Sequence, residues 1–526
     1  MEGLPQQEIV RRLSRRFQVA LVLEGLLVGV VAGGVVTLYR LVLSGAERVL
    51  RLATGAAAGN PILMAAWFAV LAVLLACVSA LIVWEPATSG SGIPQIDAEV
   101  VDRMDAPWRR VVPAKFAEGA MLALAGLSLG REGPSVQLGG MSGKAVSRAL
   151  RRKRGEERLL VTCGAAAGMS AAFHAPLTGV LFALEEIHKE FTAPLIISVM
   201  CSSVASDYLV SQAIGVSPVI SLALGADLPH ASYALVVVLG LLAGILGALH
   251  NRGMFACQDL FGRVRSRLPL ARLAVPFALA GIVAFVWPEL LCGGDAIIEL
   301  LASPQGLGVA AILALLLGKY LFTTVCFGSG APGGTLLPLV VMGALLGGLF
   351  SRAAGALGVP GEYFPNFVAL GVAGLFSGVV RAPVTAVVLV FELTGSLDAL
   401  LSASIVSVVA YVTANLTETE SFYEHLLAAL LGSSERASEE GAGTAGGKSL
   451  QTILVGAGSR LEGMLVKEVP WPDGMRVVTI ERAGGDVVPT GSTRIEALDR
   501  LLVIVDSSVT DDAFLKLRLM SSQRVL

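Results

Sequence analysis

Ala175-Pro176-Leu177-Thr178-Gly179-Val180-Leu181 returns 207 positions later as Ala382-Pro383-Val384-Thr385-Ala386-Val387-Val388, and Glu185 then coincides with Glu392. Upstream, Gly133 to Met141 overlays Gly334 to Met342 at a spacing of 201. Two blocks at nearly constant separation mark a duplication, and they divide the apolar part of the chain into halves of roughly 200 residues. In membrane carriers built this way the substrate sits near the midplane, between the repeats, beside interrupted helices. The spacing alone leaves open whether the second half is inverted.

The apolar part has to lie in a membrane. Of the 526 residues 54% are hydrophobic and 15% charged, with a mean hydropathy of +0.74, which is too apolar for a soluble protein. Ile62–Trp84 and Ala231–Leu249 carry no charge, and each is long enough for a spanning helix of about 20 residues. Apolar segments also cover about 18–50 and 399–416. Glycine and proline break the runs near 308–350 and 364–395, and irregular backbone at membrane depth has to line a polar cavity. Residues 5–16 read as a basic amphipathic helix on the cytoplasmic surface. Arg11, Arg12, Arg15 and Arg16, the cluster Arg148 to Arg154, and Arg263, Arg265, Arg267 and Arg272 assign those regions to the cytoplasm. The first apolar stretch contains Glu24 and no small-residue cleavage site, so it is a retained helix rather than a signal peptide. The six cysteines and five histidines are scattered, which predicts neither disulfides nor a metal site. No nucleophile–base pair, phosphate loop or metal cluster points to an enzyme, no cofactor is expected, and no nucleic acid is expected as a partner.

Within this apolar frame Gly130-Arg131-Glu132-Gly133-Pro134 places a carboxylate where one is costly, and intramembrane carboxylates are usually functional. Pro134 suits the first turn of a helix, whose free N–H groups and positive dipole end attract an anion, with Glu132 tethered beside them. Thr88-Ser89-Gly90-Ser91-Gly92-Ile93-Pro94-Gln95 is a second loop before a proline-marked helix start, with a serine hydroxyl to offer. Lys115 enters the next apolar segment and needs a partner or water there. In the second half, Gly330-Ala331-Pro332-Gly333-Gly334-Thr335-Leu336-Leu337-Pro338 is the counterpart of the Glu132 stretch without a carboxylate.

After Ser421-Phe422-Tyr423-Glu424 the character changes. Residues 433–449, rich in Ser, Glu, Ala and Gly, read as a linker. Short β-rich runs at Val477–Glu481 and Leu501–Val505, separated by Gly484-Gly485-Asp486 and Pro489-Thr490-Gly491, predict a small soluble α+β domain.

Four stretches in this order, Gly90-Ser91-Gly92-Ile93-Pro94, Gly130 to Pro134, Gly334 to Pro338 and Tyr423, resemble the CLC family of chloride channels and chloride/proton exchangers. With the Pro113–Phe116 block and the duplication, the resemblance covers roughly residues 15–430. It implies an all-α, multi-span membrane protein with two inverted repeats of tilted, partly re-entrant helices, working as a homodimer in the lipid bilayer with one anion pathway per subunit. It implies that Ser91 and Tyr423 contact the anion, together with Gly90, Gly92, Ile93, Arg131, Gly133, Thr335 and Leu336 around the helix starts. Glu132 would be the gating glutamate, occupying the anion site when ionised and leaving it when protonated. Glu186 matches the inner glutamate that relays protons in the family's exchangers. Where the family often has Phe the chain has Leu336, a departure of little weight if backbone N–H groups coordinate the anion. Ser91, where nitrate-preferring relatives tend to have proline, favours chloride.

The tail is similar to a TrkA-C domain through Ile480-Glu481-Arg482, Val488-Pro489, Gly491, Thr493 and Asp499-Arg500-Leu501. That likeness implies a cytoplasmic regulatory module with a small-molecule or nucleotide ligand, on a multi-pass protein of a prokaryotic inner membrane with both termini inside. The expected organisation is a transport domain at 1–432, a linker at 433–449 and a regulatory domain at 450–526. The expected function is chloride/proton antiport, with a passive chloride channel gated by Glu132 as the closest alternative and a ligand sensor without transport as a more distant one.

Overall fold

Among the described residues, eight helices are followed by eight more in the same order. The first run is α1 (Gln6–Ala57), α2 (Pro61–Trp84), α3 (Ile93–Val100), α4 (Trp108–Ala125), α5 (Glu132–Ala149), α6 (Arg154–Phe173), α7 (Pro176–Phe182) and α8 (Ala193–Ile214). The second is α9 (Tyr233–Gly262), α10 (Leu270–Val286), α11 (Asp295–Leu301), α12 (Val309–Gly328), α13 (Leu336–Ala356), α14 (Phe364–Val380), α15 (Pro383–Thr394) and α16 (Leu400–Leu416), and α17 (Phe422–Gly441) closes the bundle. This is a computed structural model, and it describes residues 6–189, 191–215, 228–264, 269–302, 307–396, 399–441, 448–456, 459–482, 485–497, 499–506 and 520–521. Met1–Gly432 and Ser433–Leu526 are separate compact units.

The packing repeats with the sequence. The pairs α5–α6, α1–α8 and α6–α8 recur as α13–α14, α9–α16 and α14–α16. Seven helices among the described residues are long and apolar enough to cross a membrane, and α2 presents most of its surface outward. Lipid cannot drive two apolar helices together, so close association depends on small residues that let backbones touch. Gly25, Gly29 and Gly33 of α1 meet Ser198, Ser202 and Ser206 of α8 in that way, and a Cβ at Gly29 would lie 2.2 Å from the Ser202 carbonyl oxygen.

The two halves grip each other reciprocally. Pro176 and Pro383 open α7 and α15. The Glu392 carboxylate accepts from the N–H groups of Leu177 and Thr178, at 2.8 and 2.7 Å, and from the Thr178 hydroxyl at 2.7 Å. Glu185 does the same for Val384 and Thr385, at 3.3 and 2.8 Å, with the Thr385 hydroxyl at 2.6 Å. A contact in which each element receives what it gives is the mark of a two-fold relation, and it explains why the carboxylates and the Ala-Pro-x-Thr segments were duplicated together. The fold is thus two inverted repeats of tilted helices, several of them broken at membrane depth.

Some boundaries differ from expectation. The basic helix expected at residues 5–16 and the first span form, from Gln6 onward, one continuous helix, α1, because no glycine or proline stands between Gln6 and Glu24 to part them, and residue 5 lies outside the described residues. The supposed linker is partly structured: α17 runs on to Gly441, and Lys448 and Ser449 already belong to a strand. The Arg148–Arg154 cluster is not free charge. Arg148 and Arg154 pair with Asp105 and Glu157, while buried Lys144 binds Glu99 at 2.8 Å.

In the second unit, β1 (Lys448–Leu454), β2 (Met475–Arg482), β3 (Gly485–Val487) and β4 (Arg500–Asp506) form an antiparallel sheet in the order β1-β4-β2-β3. Gly485 and Asp486, expected in a turn, lie in β3, and Gly484 lies outside the described residues. Asp499 is fully buried beside Arg482, whose Nε and Nη2 donate to its two carboxylate oxygens at 2.8 and 2.7 Å. Burial pushes the Asp499 carboxyl up, but the Arg482 hydrogen bonds, the Glu496 N–H and the guanidinium charge outweigh it and hold the pKa below its ordinary value. A depressed carboxylate stabilises the fold above its unfolded pKa of about 3.9 and loses that contribution as pH falls through the folded value. Acid titration of the full-length protein, followed by hydrogen exchange in β2 and β4, is therefore expected to show this unit loosening below about pH 4. Asp499→Asn should weaken it at neutral pH and flatten that acid response.

Candidate functional site

Helix starts from both halves converge on one buried point. The Gly130 N–H donates to the Gly334 carbonyl at 2.6 Å and the Gly334 N–H to that of Gly130 at 2.9 Å, an antiparallel bridge that ties the start of α5 to the start of α13. Glu132, in the first turn of α5, is fully buried. Its Oε2 accepts from the Leu337 N–H at 3.2 Å, so the carboxylate of one half sits on the helix start of the other. Its Oε1 has no hydrogen-bond partner.

Against this start lies the glycine–serine loop. Gly92, at φ 97°, turns the chain into α3, a conformation glycine adopts without strain. The Gly90 N–H and the Ser89 hydroxyl both donate to the Gly330 carbonyl, at 3.2 and 3.0 Å. Lys115, fully buried, donates from Nζ to the Thr88 and Gly90 carbonyls at 2.7 Å each, so this ammonium clamps the loop instead of reaching the membrane surface. The loop rests directly on α5: a Cβ at Gly133 would lie 2.6 Å from Ser91 Oγ and 3.1 Å from Gly334 Cα. Tyr423, in the first turn of α17, stands edge-on to Phe182 with ring centres 6.0 Å apart. Thr335 lies beside the Tyr423 hydroxyl, without a hydrogen bond of good geometry between them.

The Ser91 and Tyr423 hydroxyls are buried and unpartnered. Buried hydroxyls normally find a partner, and two free O–H donors beside converging helix starts form a site suited to an anion. The residues expected there stand in different relations to it. Ser91, Gly133 and Glu132 are adjacent, and Gly90 and Gly92 shape the loop. Ile93 and Leu336 bury their side chains at the starts of α3 and α13 and so offer only backbone. Arg131 departs: its Nε donates to the Ala172 carbonyl at 3.3 Å, and it lines a cavity with Glu47 and Asp295 rather than with the serine loop.

Glu186 lies in a π-helical turn, Ala183–His188, that follows α7; such turns are frequent at functional sites. It is 5% exposed and its Oε1 is unpartnered, which rules out a carboxylate simply standing in water. It lines a polar cavity of about 380 Å³ shared with Lys189, Arg381, Glu420 and Glu424. The sequence reading missed Asp97 of α3, buried with an unpartnered Oδ1 on a helix packed against this turn. It also missed Lys319, the second-half counterpart of Lys115 at a spacing of 204. Lys319 donates to the Leu290 and Cys292 carbonyls at 3.0 and 2.7 Å, just ahead of Gly294, whose φ of 101° mirrors Gly92. Extending the repeat spacing to polar residues would have found it.

Residues 75–415 match the family model described as voltage gated chloride channel, and residues 450–517 match that of the TrkA-C domain. The chain is 33% identical over 446 residues to the H(+)/Cl(-) exchange transporter ClcA of Citrobacter koseri, covering 81% of this chain and 93% of that one. It is 32% identical to the ClcA of Salmonella paratyphi B over the same shares. Among solved structures, a slow cyanobacterial Cl-/H+ antiporter superimposes with a TM-score of 0.75 at 27% identity, over 78% of this chain and 98% of that one. With the family model spanning more than half of its length and the helix starts meeting as described, this chain belongs to the voltage gated chloride channel family and carries a TrkA-C domain behind it.

Proposed function

We propose that the protein exchanges chloride for protons across the membrane. The observation that carries this reading is Glu132, a buried carboxylate seated on the Leu337 N–H where two helix starts meet. Chloride and an ionised Glu132 compete for the same N–H groups and dipole ends, so protonating the carboxylate and admitting chloride are linked events. Ser91 and Tyr423 supply the hydroxyl donors, Lys115 holds the serine loop in place, and Glu186 takes protons from the polar inner cavity without touching the anion. The names of the relatives and the 0.75 TM-score neighbour support this assignment.

The same reading covers assembly and placement. Leu177, Ile197, Val204, Val384, Leu401 and Val408 are exposed on α7, α8, α15 and α16, an apolar face suited to a second copy in a homodimer. The arginine clusters support an inner-membrane protein with both termini in the cytoplasm. The TrkA-C domain is the element we assign to regulation by a small molecule or nucleotide.

The deciding experiment uses purified protein in liposomes. A chloride gradient alone is expected to drive protons against their own gradient; chloride flux without uphill protons would replace the exchanger with a passive channel. Selectivity gives a second check. If the Ser91 hydroxyl donates to the anion, Ser91→Pro shifts competition between nitrate and chloride toward nitrate by about tenfold, the worth of one hydrogen bond to a charged group. An unchanged preference removes Ser91 from the anion site.

A further inference from the structure

One side of Glu132 carries acidic groups that the mechanism above does not use. Gly130 and Leu337, which flank the Glu132 carboxylate, also line a small cavity of about 30 Å³ whose other walls include Glu47, Arg131, Cys292 and Asp295. A larger cavity of about 170 Å³ shares Glu47, Cys292 and Asp295 and continues past Arg51, Thr54 and Glu289. The smaller one has room for one or two waters, since one needs about 10–15 Å³. The two spaces thus meet at Glu47 and Asp295, between the larger chamber and the gating carboxylate.

Glu47 comes from α1 in the first half, and Asp295 opens α11 in the second. Both are partly exposed, whereas Glu132 is fully buried. Neither side chain makes a hydrogen bond or ion pair among the described residues. Cations surround them without taking up their oxygens. Arg51, Arg131 and Lys319 face Glu47, and Arg40 lies near Arg131, Asp295 and Glu132. Arg40 donates to the Ala171 carbonyl at 2.6 Å, Arg131 to that of Ala172, and Lys319 to those of Leu290 and Cys292. Glu289 adds a further carboxylate in the larger chamber.

We propose that Glu47 and Asp295 form an outer proton-loading pair for Glu132, which rests on the antiport reading given above. One of the pair takes a proton from the larger chamber and passes it through water in the small cavity to the Glu132 carboxylate, whose Oε2 lies against the cavity walls Gly130 and Leu337, returning to its ionised form. On the reverse stroke the proton leaves Glu132 by the same waters.

The test compares wild type with the double variant Glu47→Gln/Asp295→Asn in liposomes, with the pH jump applied on the outer side. Proton uptake in the double variant is expected to slow about tenfold, less than the roughly hundredfold of a group that touches the reacting centre. The exchange Glu47→Asp/Asp295→Glu, which keeps both carboxyl groups, is expected to retain most of the rate. Placed in a Glu132→Gln background, where no proton step remains, the double neutralisation should alter chloride flux by less than about twofold, as a change off the anion path does. That flux also reports a folded protein. An unchanged proton rate in the double variant, or an equal slowing of chloride in the Gln background, overturns the proposal. A wild type that moves no protons uphill overturns the antiport reading and the relay with it.

Discussion

Glu132→Gln is expected to reduce coupled proton transport by about a hundredfold or more, since a positioned proton carrier contributes at least that much, and to leave a chloride flux that no longer responds to pH. The amide has nearly the shape of the carboxyl group, and its oxygen can still accept from the Leu337 N–H. It cannot ionise, however, and so never presents the negative charge that competes with chloride for the converging helix starts. Chloride then meets a neutral rival at every pH, and the side chain has no proton to release on either side. Fluorescent pH recording and chloride-electrode traces from the same liposomes check both halves of the claim. A variant that still pumps protons would move the gate to another residue, and Asp97 is the next buried, unpartnered carboxylate along the inner route.

Glu186→Gln is expected to lose proton movement by a comparable factor of about a hundred while chloride continues to flow. The difference between the two variants lies in position. Glu132 sits on the helix starts to which we assign the anion, but Glu186 sits in the π-helical turn after Phe182, against the cavity that also holds Lys189 and Glu424. A carboxylate there can hand protons on without occupying the chloride path. If chloride flux collapses together with proton flux, Glu186 serves the anion route as well and the two paths share more than the gate.

Much of this arrangement was legible in the residues, for identifiable reasons. The Ala-Pro-x-Thr duplication announced two equivalent halves because each block repeats its helix-opening proline, its threonine and, nine residues after the proline, its glutamate. Glu132 stood out because a carboxylate in an apolar part of the chain is costly. What escaped was decided by long-range approach. Nothing local says that Lys115 will bind the Thr88 and Gly90 carbonyls, or that Lys319 will repeat the act on Leu290 and Cys292. Arg131 adjoins Glu132 in sequence, yet its side chain turns toward the end of α6. The continuation of α17 to Gly441 was hidden because serine, glutamate and alanine are compatible with both a linker and a solvated helix.

The reciprocal carboxylate contacts also set a timetable for biosynthesis. The N–H of Leu177 waits for an acceptor 215 residues downstream, and at roughly 5–20 residues per second Glu392 leaves the ribosome some ten to forty seconds later. Until then the start of α7 has no carboxylate to close it and must remain near water or the insertion machinery. The first half is therefore an orphan in the bilayer, and its final seating depends on the second half arriving. Two separately translated halves, each carrying what the other lacks, should assemble when made together and be degraded when made singly.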